Sequence, residues 1–85
     1  MNPEDIIKNP VSTEKAVRLM ESNNVITFIV DERANKHQIK KAVENLFGVK
    51  VKKVRIVNEG KKKKAYVSLR KESNALDVAT EFGMV

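Results

Sequence analysis

The residues best equipped for chemistry in this sequence are cationic. Lys61-Lys62-Lys63-Lys64 sets four ammonium groups in a row, and Lys50, Lys52, Lys53 and Arg55 lead up to them. Lys36, His37, Lys40 and Lys41 form an earlier group, and Lys15 is the remaining basic candidate. Glu59, the single acid near the lysine run, cannot pair with all four. Lysines do blunt an exposed hairpin against edge pairing, but one or two would serve that purpose. Four favour contact with phosphate, which a compact ammonium group holds without reading base sequence. On the helix-like stretch the same residue types are also what ordinary amphipathicity supplies. There Lys41 reads as solvated, and His37 by default as an exposed bystander, with phosphate contact the alternative. Tyr66 falls on the polar side of an alternating stretch. It can stack on a base or simply cover a sheet with an amphipathic ring.

The charge balance supports a polyanion as the partner. Seventeen Lys and Arg oppose eleven Asp and Glu, for a net +6. Residues 36–71 carry thirteen basic and two acidic side chains, while the segments on either side are net acidic. Such a concentration repels itself, and phosphate would relieve it. With one aromatic on a polar face and no Gly-bearing strand motif, the chain lacks the base-stacking platform of an RNA-recognition sheet. Contact with folded RNA by shape and charge is the stronger expectation.

Other chemistries find little support. The absence of Cys excludes disulfides, a thiol nucleophile and thiolate metal sites, and one His leaves no ordinary Ser-His-Asp triad. Glu4-Asp5 and Asp31-Glu32 are adjacent acids that read as cap and turn residues; Asp5, Glu14 and Asp31 lack metal-ligand spacing. No Gly-rich phosphate loop is present. Neither an enzyme nor a cofactor, a metal or a small-molecule substrate is expected. The longest strongly apolar run, Val25 to Val30, is too short to cross a bilayer, and the N-terminus is acidic rather than signal-like. A cytoplasmic protein without membrane insertion is expected.

These side chains need a scaffold, and a chain of 85 residues suffices for one small domain, 1–85. Asn2-Pro3-Glu4-Asp5 predicts a turn of helix, Ile6 to Lys8 a brief extended piece, and Asn9-Pro10 a turn. Ser12 or Thr13 caps a helix to about Glu21, stopped by Asn23-Asn24. Val25 to Val30 is a strand with apolar groups on both faces, hence covered on both sides. Asn35 and Gln38 form a capping box for a helix to Phe47, with Ile39, Ala42, Val43, Leu46 and Phe47 as its buried stripe and Gly48 as its stop. Val49 to Val57 changes apolar parity, which a bulge at Lys52-Lys53 would reconcile. Asn58-Glu59-Gly60 turns the chain into an alternating strand, Lys63 to Leu69. Asn74 caps a last helix with Ala75, Val78, Ala79 and Phe82 inward and Gly83 beyond its end. The expected class is α+β, in the order α-β-α-β-β-α with room for an extra strand near residues 6–8. A small antiparallel or mixed sheet of three to four strands carries packed helices. The last strand is inserted between two parallel ones in a split β-α-β unit.

Three stretches then resemble one family: N-P-V-S-T-E-K (Asn9 to Lys15), A-N-K-H-Q-I-K-K-A-V-E-N-L-F-G-V-K-V (Ala34 to Val51) and K-K-A-Y-V-S-L (Lys63 to Leu69). In order and spacing they are similar to large-ribosomal-subunit protein twenty-three, over about residues 6–85. The resemblance implies a structural ribosomal protein, built as an antiparallel sheet with helices, that binds large-subunit ribosomal RNA at the rim of the polypeptide exit tunnel. It implies a neighbour of the L-twenty-nine family. It also implies a docking surface for signal recognition particle and the protein-conducting channel, to which Glu14 would belong. Arg18, four residues on, pairs with Glu14 on a helix. Bacterial members extend a long hairpin into the tunnel, whereas here only Asn58 to Lys62 joins the strands. That feature, and a start lacking a long basic extension, resemble the archaeal type. A free-standing RNA-binding or protein-interaction module is the alternative.

Overall fold

Short local signals set most of the boundaries. In the computed structural model, which describes residues 2–81, the elements are α1 (Pro3–Ile6), β1 (Ile7–Pro10), α2 (Glu14–Asn23), β2 (Val25–Val30), α3 (Lys36–Phe47), β3 (Val51–Glu59), β4 (Lys62–Leu69) and α4 (Ala75–Glu81). The carbonyl of Asn2, rather than its side chain, closes α1 by accepting from the Asp5 and Ile6 N–H groups. Thr13 caps α2, its Oγ1 accepting from the Ala16 N–H at 3.2 Å. The Asn35–Gln38 capping box forms in both directions, at 2.9 and 3.0 Å. Gly48 stops α3 at φ 63°, a conformation that costs glycine little.

The strands form one antiparallel sheet in the order β1-β2-β4-β3. As expected, β4 lies between β2 and β3, which therefore run parallel to each other without touching. The β3–β4 register slips between Val51 and Lys53, which face Leu69 and Ser68 respectively. The extra residue at Lys52 is the anticipated bulge, and it lets Val51 and Val54 both point into the core.

One face of the sheet carries the core. Ile26, Phe28 and Val30 of β2, with Ala65, Val67 and Leu69 of β4, meet Ile39, Ala42 and Val43 of α3; all are buried. Ala75, Val78 and Ala79 of α4 join the same cluster. The rings of Phe28 and Phe47 stack with centroids 6.0 Å apart and planes 12° from parallel. Burial of a side chain of this size contributes about 1.5–3 kcal/mol, so the core shared by this sheet face and the helices on it contributes substantially to stability.

Several expectations need correction. Asn9-Pro10 does not turn but ends β1, where a proline is tolerated because β1 is an edge strand. α2 runs two residues past Glu21, to Asn23. The hairpin turn is Gly60-Lys61 alone, since Glu59 pairs with Lys62 and Asn58 with Lys63; Gly60 takes the positive φ, 59°, that this tight turn needs. Leu46 is 39% exposed. Phe47 takes the inward place, and Leu46, about 100° round the helix, faces out. On β2, Thr27 is buried on the second face but Val25 and Ile29 are only half-buried, so that face is partly covered. Phe82 and Gly83 lie outside the described residues.

Candidate nucleic-acid interface

The second face of the sheet holds the chemistry. Cross-strand partners point the same way, so the registers define three rows across β2, β4 and β3. They are Val25–Ser68–Lys53, Thr27–Tyr66–Arg55 and Ile29–Lys64–Val57. α2 packs over the β2 side of this face and buries Ala16 and Thr27. The β3 side stays open, with Lys53 and Arg55 exposed and Tyr66 half-buried. Between them runs a groove of about 500 Å³, walled by Lys15 and Leu19 on one side and by Lys53 and Arg55 on the other, with Tyr66 on its floor.

Alternation divides the lysine run. Lys64 lies on the groove face, 2.9 Å from the Glu59 carboxylate. The hydrogen bond from Lys64 holds Glu59 below the ordinary carboxylate range, with a smaller effect from Lys15, and the same bond raises Lys64. Lys63 points to the other face and donates to the carbonyls of Glu32 and Ala34, at 3.2 and 2.6 Å. It thereby ties the hairpin to the β2–α3 loop. That loop is shaped by Asp31, whose carboxylate accepts from the Arg33 side chain at 3.1 Å and from its N–H at 2.8 Å. Those bonds bring the Asp31 pKa down to about 2. Lys61 and Lys62 stay exposed at the turn, with no acid partner among the described residues.

The other candidates lie elsewhere. Lys36 and His37 are exposed and Lys40 half-buried on the solvent stripe of α3, which faces away from the sheet and so lies on the far side of the molecule from the groove. Lys50 is exposed just before β3, beside Ser73, whose Oγ accepts its backbone N–H at 2.8 Å. Lys52 projects from the bulge on the edge strand. Glu14 and Arg18 pair at 2.9 Å on the outer side of α2 and are mostly exposed. An exposed i,i+4 pair contributes little to stability, which leaves both groups accessible to a partner. The structure thus brings together Lys15, Lys53, Arg55, Lys64 and Tyr66, sets Lys61 and Lys62 at the adjacent tip, and separates the α3 group.

Leu19, Val25 and Thr27 were not among the sequence candidates, although they help line the groove region. A signal for the Arg55–Tyr66 neighbourhood was present. A two-residue turn at Gly60-Lys61 pairs Glu59 with Lys62 and, counting back, Arg55 with Tyr66. Placing the turn at Asn58-Glu59-Gly60 conceals that register.

A sequence-family model described as ribosomal protein L23 matches residues 5–75. The chain belongs to the ribosomal protein L23 family. The match takes in the whole sheet together with α2 and α3. An L23 protein is a ribosomal protein of the large subunit, a structural component of the translation ribonucleoprotein rather than a catalytic kind of protein, and its association is with the ribosome and its RNA. Among the described residues no helix is long and apolar enough to cross a membrane, and no group of three or more His, Cys, Asp or Glu side chains could hold a metal ion.

Proposed function

We propose that this L23 chain binds large-subunit ribosomal RNA near the polypeptide exit tunnel through its groove face and hairpin turn. One observation carries the reading. Lys15, Lys53 and Arg55 line one groove, Lys61 and Lys62 lie at the hairpin turn beside it, and the one acid lining the groove, Glu59, is already engaged by Lys64. Unpaired cations of this density are stable beside phosphate and repel one another without it. Lys36, His37 and Lys40 face the opposite way and would meet a different RNA segment, with Lys50 and Lys52 at the sheet edge between. Glu14 and Arg18, on the outer side of α2, would contribute to a docking surface for signal recognition particle and the protein-conducting channel. An L29-family protein would be the ribosomal neighbour.

If five cations neutralise phosphates, log affinity for a ribosomal RNA fragment should fall with log salt at a slope of about −4 to −5. Replacing Lys53, Arg55, Lys61 and Lys62 with Ala should flatten that slope to about −1. A slope unchanged by all four substitutions refutes this face as the anchor. Glu14→Lys should disrupt factor docking on the ribosome while RNA affinity holds or rises; loss of RNA binding instead would refute the division of roles.

A further inference from the structure

The groove does not have the form of a surface for a rod of paired RNA. Its floor is one aromatic ring, and one wall is a helix standing above that floor. In a duplex the bases are stacked on each other and offer only their edges, so no base face can reach Tyr66 past α2. A nucleotide that has left the stack can reach it.

We propose that the groove receives a single unstacked ribonucleotide, its base lying on Tyr66 and its flanking phosphates held by Lys15 and by Lys53 with Arg55. This deepens the RNA-binding reading and rests on it. Three observations support the choice of occupant. The volume, about 500 Å³, lies within the roughly 300–1,000 Å³ of clefts that hold small ligands. Leu19 and Val25 supply apolar contact beside the ring, as a base face requires. The cations sit on both walls, one on α2 and two on β3, matching a nucleotide with phosphates to either side. An acidic peptide could match the cations but would gain little from the ring and apolar wall.

The chain itself provides the readout. Tyr66 is its only tyrosine and it has no tryptophan, so intrinsic tyrosine emission reports on the groove floor alone. Two RNA hairpins of equal length would be titrated into the full chain, one perfectly paired and one with a single bulged nucleotide. The bulged hairpin should quench Tyr66 emission and bind about tenfold more tightly, within the range of one base on an aromatic platform. The paired hairpin should bind with a similar salt slope but leave the emission nearly unchanged. Tyr66→Phe should keep the affinity ratio between the hairpins and Tyr66→Leu should abolish it, with the salt slope retained in both. Equal quenching and equal affinity for the two hairpins overturns the nucleotide site while leaving RNA binding in place. Failure of both hairpins to bind overturns the RNA reading itself. Quenching by a polyglutamate peptide as strong as by the bulged hairpin reassigns the groove to a protein partner and overturns the proposal. The wild-type titration decides the matter even where the Leu variant does not fold.

Discussion

Asn24 joins four elements through one side chain, and its replacement should cost this small domain much of its stability. It terminates α2 in the left-handed conformation, φ 57°. Its Nδ2 donates to the carbonyls of Ser73, Arg70 and Leu69 at 2.8, 3.2 and 3.4 Å, and its Oδ1 accepts from the Ala75 N–H at 2.8 Å. The end of α2, the start of β2, the end of β4 and the first residue of α4 are thereby held together. Asn24→Gly keeps the backbone conformation and loses these bonds. At about 0.5–1.5 kcal/mol for each of two or three effective bonds, the cost is about 2–3 kcal/mol. Asn24→Ala loses the same bonds and should be about 1 kcal/mol less stable than the Gly variant, because a Cβ disfavours the left-handed region. For a domain of this size those losses correspond to a fall in Tm of about 10–20 °C for the Gly variant and several degrees more for Ala. Urea titration and thermal melts of the three proteins measure both quantities. A Gly variant within about 0.5 kcal/mol of the wild type would show that backbone conformation alone selects Asn24 and would refute the four-element tie. An Ala variant no worse than Gly would refute the conformational term.

Three further outcomes are expected. Phe28→Ala, which removes a fully buried ring and the stacking partner of Phe47, should cost about 3–5 kcal/mol in urea unfolding; a loss under 1 kcal/mol would contradict the placement of the core. The Asp31 carboxyl has a folded pKa of about 2 against an ordinary 3.8. Its contribution is therefore fully present above about pH 4 and fades as pH falls toward 2. The stability gap between the wild type and Asp31→Asn should close over that window, and parallel pH curves would refute the Arg33 contacts as its origin. Glu59→Gln releases Lys64 from its ion pair, so RNA affinity at low salt should rise and the salt slope should steepen by up to about 0.9. An unchanged slope would show that Lys64 takes no part in binding.

The capping box at Asn35 and Gln38, the Gly48 stop and the parity change in β3 were readable because each acts over a few residues. The bulge at Lys52 is a similar case: only one extra residue can turn both Val51 and Val54 inward. The hairpin turn was harder to place, since Asn58, Glu59 and Gly60 are all turn formers, and pairing with β4 absorbed the first two into β3. Asn9-Pro10 carried a turn signal that edge pairing to β2 overrode. Leu46 matched the helical period of the buried stripe, yet the one inward place at that level went to Phe47 through its stacking on Phe28.

Composition and order alone determined that the chain forms a small α+β sheet fold with its positive charge massed in residues 36–71. Tertiary structure decided which of those charges stay available. Lys63 is spent on backbone carbonyls and Lys64 on Glu59, while Lys61 and Lys62 remain exposed. The α3 lysines are carried to the far side, and Lys15, distant in sequence, is brought opposite Arg55 across Tyr66. The physical reason is one of range. Caps, stops and alternation are local preferences of a few neighbouring residues. The partner a side chain meets across a sheet or beneath a helix depends on pairing register and helix placement, and those exist only once the core has closed.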